Sequence, residues 1–231
     1  MASNALILQN PAGTTAQLIL LFHGLGANAQ SMRQAGARLA AVFPQAMVVA
    51  VDAPLPGDTP ESFQWFADTG DAPAGDTGHV TQAMPAFAAC VAQWQQHTGV
   101  GPEATALIGF SQGATMALES TKLPEALASR VVAVAGRFIS LPETDAYAGT
   151  IHFLHGKDDT VVPYKHAVMA AHHLKDLGAD ITAEVRPNIG HEIHPEFIEL
   201  MAEKLSTHIS HRIWTLAMQA QQAQDAQDAK P

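Results

Sequence analysis

Strand-length apolar runs alternate along this chain with segments of helical spacing, and that alternation restricts the fold more than any other feature of the sequence. The runs are LILLF at 18–22, MVVAV at 47–51, ATALIGF at 104–110, VVAVA at 131–135, IHFL at 151–154 and ITAEV at 181–185. The middle runs are apolar throughout, which fits strands covered on both faces rather than one. Helical spacing occupies 30–42, 79–97, 112–122, 164–177 and 195–208, the first of these placing Met32, Ala35, Leu39 and Val42 on one stripe. Strands and helices in turn predict an α/β fold, a mostly parallel central sheet flanked by helices on both faces. Ligands of such sheets gather beyond the carboxyl ends of the strands, so functional residues are expected in the loops that follow them.

With 231 residues, 47% of them hydrophobic, the chain can bury one large core, and a single domain over 1–211 is expected. Residues 212–231 turn Ala/Gln-rich with few core formers, a composition that predicts a fraying helix and then disorder. Between 53 and 78, APLPGDTPESFQWFADTGDAPAGDTG reads as a long surface excursion carrying Phe63, Trp65 and Phe66. These aromatics either dock on their own protein or line a substrate pocket.

Twelve Lys and Arg against 22 Asp and Glu give a formal net charge of −10, which disfavours nucleic acid and anionic lipid surfaces as partners. No apolar stretch approaches the ~20 residues needed to span a bilayer. The opening MASNALILQNPAG has no basic flank and too short an apolar stretch for an export signal, so a cytoplasmic location is expected. Cys90 is the single cysteine, which leaves no intramolecular disulfide and no thiolate metal site; core packing is its expected role.

The segment LIGFSQGATMALES at 107–120 raises a sharper question, because it sets Ser111 between two glycines where a strand gives way to a helix. G-x-S-x-G in that context is a nucleophile elbow, a tight turn that lifts the serine hydroxyl above the sheet edge. The helix that follows aims its free N–H groups and positive dipole end at the reacting oxygen. A serine hydroxyl is a weak nucleophile at neutral pH and needs a base, which in turn needs a carboxylate. In this strand–turn–helix setting the acid and then the histidine follow later in the chain.

Two segments supply them. IHFLHGKDDTVVP places Asp158 and Asp159 just after a strand, and VRPNIGHEIHPE places His191 and His194 after the next. Most of the 12 histidines must be structural. Position selects His191, which follows a glycine in the loop after the last strand; His194, against Pro195 where a helix is expected to start, is the second candidate. For the oxyanion, LILLFHGLGAN supplies a glycine-rich loop after an early strand. Leu25 and Gln112 are then the candidate backbone donors, with His23 pinning the loop. HGLGAN matches neither a P-loop nor a dinucleotide fingerprint.

LFHGLGAN, GFSQGATMALE, HGKDDTVVP and GHEIHPE, in this order and at these separations, together resemble the phospholipase/carboxylesterase family of small α/β-hydrolases, relatives of acyl-protein thioesterases and dienelactone hydrolases. The resemblance covers about residues 15–208. It implies the α/β-hydrolase fold, Ser111 as nucleophile, His191 as base, Asp159 as acid and Leu25 and Gln112 as oxyanion donors. Asp159 matches the family's H-G-x-x-D-x-x-V-P pattern, whereas Asp158 falls on a variable position. The chain departs from dienelactone hydrolases in carrying serine, not cysteine, at the elbow. It departs from the thioesterases in reading AGRFISLPET where S-G-Y/F is usual, with Arg137 either a cation near the pocket or a surface charge.

The expectation is a serine carboxylesterase acting on small-molecule esters of short to medium acyl length, without metal or cofactor. Phe63, Trp65 and Phe66 would form an apolar wall over the acyl group. A long-acyl thioesterase or lysophospholipase is the alternative within the same mechanism, and a non-catalytic binding module is the alternative from another class. A metal protein built on His152, His155, His172, His173, His191 or His194 is disfavoured, because HEIH is not H-E-x-x-H and the histidines fall in separate segments. Monomer and dimer are both open.

Overall fold

In the computed structural model, residues 4–67, 77–144, 147–209 and 218–219 are described. The elements in chain order are β1 (Ala5–Gln9), β2 (Gln17–Phe22), α1 (Arg33–Val42), β3 (Ala46–Val51), β4 (Leu55–Pro56), β5 (Phe63–Gln64), α2 (Thr77–Thr98), β6 (Thr105–Phe110), α3 (Gln112–Ser120), β7 (Arg130–Val134), β8 (Thr150–Gly156), α4 (Lys165–Asp176), β9 (Asp180–Arg186) and α5 (Pro195–Thr207). Each apolar run read from the sequence is a strand of one seven-stranded sheet, ordered β1-β3-β2-β6-β7-β8-β9. All neighbours pair in parallel except β1 and β3.

The strands are apolar throughout because both faces are covered. Leu18, Leu20 and Phe22 of β2 pack with α2, α3 and α4, through Phe87, Met116 and Leu174 among others. Ile19 and Leu21, alternating with them, pack with α1 and α5, through Leu39, Phe197 and Met201. Period-two side-chain alternation thus feeds two separate apolar layers from one run. Cys90 is half-buried in α2 against the first layer, in line with its expected packing role. Among the described residues no helix is long and apolar enough to cross a membrane.

The strand β1 is absent from the sequence reading. ALILQ is short, and as an antiparallel edge strand it is only half covered, so it lacks the continuous burial that marks the others. Its last residue fastens it: Gln9 Nε2 donates to Phe43 O (2.7 Å) and Ala46 O (2.8 Å), carbonyls at the end of α1 and the start of β3. Of the excursion at 53–78, residues 68–76 lie outside the described residues, and the described part is more than a surface loop. It folds into the β4–β5 hairpin, and Phe63 N–H donates to Ala27 O at 2.8 Å. The expected tail at 212–231 lies, apart from 218–219, outside the described residues.

His152 is wholly buried on β8, its Nδ1 2.8 Å from Thr182 Oγ1 and its ring edge-on to His208 with centroids 5.1 Å apart. Burial, helped by the nearby His208 and Arg130, pushes its pKa down to about 3, against the opposing pull of Asp180. Burial also lowers His23 and His155. A histidine neutral in the fold and titrating near ~6.5 when unfolded favours the unfolded chain once protonated. Its contribution is therefore complete above about pH 6.5 and lost as the pH falls from there towards 3. Denaturant unfolding followed between pH 7.5 and 4 is expected to show a midpoint that drops through this window. His152→Asn, which keeps an amide for Thr182 but does not titrate, is expected to flatten that drop.

Candidate active site

The elbow is built from two contacts that admit no side chain. A Cβ on Gly109 would lie 2.3 Å from Ala114 N, and one on Gly113 would lie 2.3 Å from Phe22 O. Glycine at both positions lets α3 start directly against the ends of β6 and β2. Ser111 between them takes φ 52° and ψ −114°, a conformation costing on the order of 1–3 kcal/mol for a residue with a side chain. It is held by its own N–H donating to Val134 O at 2.9 Å, and by its carbonyl accepting the Thr115 N–H at 3.0 Å.

From there a hydrogen-bonded chain runs inward. Ser111 Oγ is 2.9 Å from His191 Nε2, and His191 Nδ1 is 2.7 Å from Asp159 Oδ2. A carboxylate only accepts, so Nδ1 carries the proton and the Nε2 lone pair faces the hydroxyl. Phe110 flanks the imidazole with centroids 5.0 Å apart. The Asp159 side chain is fully buried, and its Oδ1 accepts from Val161 N (2.9 Å) and Val162 N (2.8 Å).

The structure also separates the pairs that the sequence left open. Asp158 is exposed, whereas Asp159 beside it turns inward. His194 is the N-cap of α5, its Nδ1 accepting the Glu196 N–H at 3.2 Å with Pro195 in the first turn. Gly190, before His191, takes no left-handed φ, so the glycine that seats this loop is a different one. A Cβ on Gly156 at the end of β8 would lie 2.2 Å from Ile189 O. Across that contact Lys157 N donates to Arg186 O (2.8 Å) and Asp158 N to Ile189 O (3.0 Å).

On the other side of Ser111 lies the glycine-rich loop. Gly24 lets it approach the elbow, since a Cβ there would meet the Phe110 ring at 3.0 Å and Ser111 Cβ at 3.3 Å. His23 is fully buried, its Nε2 accepting the Ala53 N–H (3.0 Å), so its Nδ1–H donates to Gly24 O (2.7 Å). Leu25 follows with a side chain 46% exposed. The N–H of Gln112 is the first of those an α-helix leaves without an intrahelical acceptor.

Docking on the protein itself, one of the two readings of the aromatic triplet, describes Trp65 and Phe66. Trp65 is 2% exposed and packs edge-on against Phe22 and Phe87. Its indole N–H donates to His23 O at 2.9 Å. Phe66 is buried as well, and Phe63 alone stays partly exposed. The Gln112 side chain clamps this segment, accepting from Trp65 N (2.6 Å) and donating to Phe66 O (2.9 Å). No motif signalled that clamp, because the second residue of the elbow matters to the pattern only through its backbone. Arg137, two residues beyond Ala135, is half-buried, and burial lowers its pKa.

Among the described residues no group of three or more His, Cys, Asp or Glu side chains is placed to hold a metal ion. His152 faces Thr182, His155 faces Val162 O, and His173 Nε2 donates to Pro142 O at 2.7 Å. A cavity of about 270 Å³ lies at the N-terminal ends of β2, β6, β7 and β8, lined by Gln17, Thr105, Arg130 and Thr150 among others. It opens at the edge of the sheet opposite Ser111 and has no part in this chain of hydrogen bonds.

A mostly parallel sheet with a G-x-S-x-G turn after β6, a buried aspartate after β8 and a histidine after β9 has the pattern of an α/β-hydrolase. A family model described as phospholipase/carboxylesterase matches residues 3–209. Over 205 residues the chain is 42% identical to Esterase YpfH of Escherichia coli (strain K12), across 89% of this chain and 88% of that one. It is 32% identical over 115 residues to acyl-protein thioesterase 1 of Gibberella zeae, spanning 46% of this chain and 49% of that protein. Esterase PE8, a solved structure, is similar at a TM-score of 0.78 and 30% identity, over 88% of this chain and 97% of that one. The chain belongs to the phospholipase/carboxylesterase family, and it is an enzyme, a hydrolase.

Trp65 acts as a prop between loop and core, so Trp65→Phe is expected to cost about 1–2 kcal/mol through the lost indole hydrogen bond. That corresponds to a thermal midpoint lower by roughly 2–8 °C. Relative rates across acyl chain lengths are expected to stay as in the wild type, as ester assays beside the melting curves will show.

Proposed function

We propose that this protein is a serine carboxylesterase that hydrolyses carboxylic esters of short to medium acyl length through an acyl-enzyme. The observation that carries the reading is the unbroken run from Asp159 through His191 to Ser111 Oγ, with links of 2.7 and 2.9 Å. Ser111 Oγ attacks the acyl carbonyl while its proton passes to His191 Nε2, and the imidazolium is stabilised by the buried Asp159 carboxylate. The backbone N–H groups of Leu25 and Gln112 receive the oxyanion. His191 then returns the proton to the departing alcohol, and the same nitrogen later takes one from the water that releases the acid. No cofactor enters these steps.

Chain length follows from what fills the space beside the serine. Trp65 and Phe66 occupy the ground behind the oxyanion loop with their own rings. The acyl group then meets Phe63, whose carbonyl accepts the Gly26 N–H at 3.0 Å, and the exposed edge of Leu25. A shallow apolar contact of this kind rewards short and medium chains and gains little beyond them. The rival is a long-acyl substrate. It is favoured by Val161, 66% exposed two residues from Asp159, and by the likeness to an acyl-protein thioesterase. We place the reaction in the cytoplasm on small-molecule esters. A formal net charge of −10 supports that placement by disfavouring nucleic acid and anionic membrane as partners.

Hydrolysis of p-nitrophenyl esters from acetate to palmitate by the wild type is expected to peak at short or medium lengths. Ser111→Ala is expected to lower kcat by about 10³-fold or more. A rate that climbs to palmitate would move the assignment to long-acyl substrates. A wild type inert on every ester, and unlabelled at Ser111 by a fluorophosphonate, would leave a binding module.

A further inference from the structure

One buried histidine next to this site has no place in the scheme above. His155 sits near the end of β8, before Gly156, and is 1% exposed. Its Nε2 is 2.8 Å from Val162 O and 3.2 Å from Asp159 Oδ2. A carbonyl only accepts, so Nε2 carries the proton and donates it to Val162 O, with Asp159 Oδ2 close beside the same N–H. Asp159 Oδ2 is also the oxygen on which the His191 Nδ1–H rests at 2.7 Å. The carboxylate therefore accepts from Val161 N and Val162 N on Oδ1 and from His191 on Oδ2, and the His155 N–H stands 3.2 Å from that same Oδ2.

We infer that His155 is a positioning residue of the active site: its shared N–H fixes the Asp159 carboxylate in the plane that His191 requires and tempers the basicity of His191 through their common oxygen. The inference rests on the catalytic reading of Ser111, His191 and Asp159. Geometry supplies both halves of it. By bridging Asp159 to the carbonyl of Val162, the ring closes the turn that also delivers two backbone N–H groups to Oδ1, so the carboxylate keeps one orientation. By holding its N–H 3.2 Å from Oδ2, it takes up part of the negative potential that would otherwise go to the imidazolium of His191.

Neutrality is needed for this role. A cationic His155 would cancel the charge of Asp159 and oppose a second imidazolium across it. The titratable groups facing His155 are Asp159 and His191, and burial outweighs Asp159's attraction for a proton, keeping its pKa below the ordinary histidine value. An ordinary core histidine would satisfy itself on the backbone and stand indifferent to the site.

The test uses the full chain and three proteins: wild type, His155→Met, which removes the donor, and His155→Gln, which restores one. The titration of His191, read from its ring resonances by NMR, is expected to move up by about half a pH unit or more in His155→Met. The acid limb of kcat/KM for p-nitrophenyl butyrate is expected to move with it. At neutral pH, kcat should fall about ten- to a hundredfold with KM within about twofold, and His155→Gln should recover most of the loss. A folded His155→Met with His191 titrating as in the wild type overturns the inference, whatever the ester rates. In the unmutated protein, the His155 ring should stay in its neutral Nε2–H form, with that proton's resonance following the titration of His191. A resonance blind to His191 overturns the inference without any variant. Failure of the wild type on all esters sinks the catalytic reading instead, a result separate from the NMR titration.

Discussion

Everything at the working edge of this molecule depends on one close crossing of backbones. The helix α3 begins where it would collide with β6 and β2 if Gly109 or Gly113 carried a methyl group, each Cβ meeting a backbone atom at 2.3 Å. Backbone cannot yield as the end of a long side chain can, so the crossing is possible only with bare Cα atoms. The strain it imposes on Ser111 is held by hydrogen bonds from both sides, to Val134 O and from Thr115 N. Because the strands themselves are locked between two apolar layers, the serine inherits the rigidity of the whole sheet.

A second level of order comes from a network of buried hydrogen bonds beside the elbow. Gln112 ties the elbow helix to residues 65 and 66, Trp65 ties that segment to His23 O, and His23 ties β2 to the chain after β3. Such a network is worth having because an unpaired buried donor costs more than a made bond contributes. Its members are side chains with no chemical part in ester cleavage. They set where the oxyanion loop stands relative to Ser111, which is a matter of tenths of an ångström in a reaction that depends on aim.

Much of this could be read from the amino-acid sequence, for identifiable reasons. Buried parallel strands advertise themselves as unbroken apolar runs: LILLF and MVVAV lie within strands, and VVAVA overruns its strand by one residue. GFSQG, HGKDD and GHEIH were legible because elbow, acid and histidine follow strand ends in a set order. What stayed hidden lacked a local signal. ALILQ is an edge strand, half covered, and its alternation is too short to stand out. The aromatics of FQWF look alike in sequence, yet Trp65 is a core residue while Phe63 stays at the rim, a difference decided by tertiary packing. Gly190 stands directly before His191 in the sequence, but the tight approach is at Gly156, more than thirty positions earlier in the chain. Nothing in HGKDD said that its histidine would share an oxygen with its second aspartate.

The lacing across Gly156 has a mechanical consequence. Hydrogen bonds from Lys157 to Arg186 and from Asp158 to Ile189 bind the loop bearing Asp159 to the loop bearing His191, so those two residues ride on one plate. Ser111 stands on another, the elbow of β6 and α3. The seam between the plates is bridged at the reacting centre by the 2.9 Å contact from His191 to Ser111. In the proposed mechanism that bridging hydrogen bond is the one that each turnover breaks and makes again.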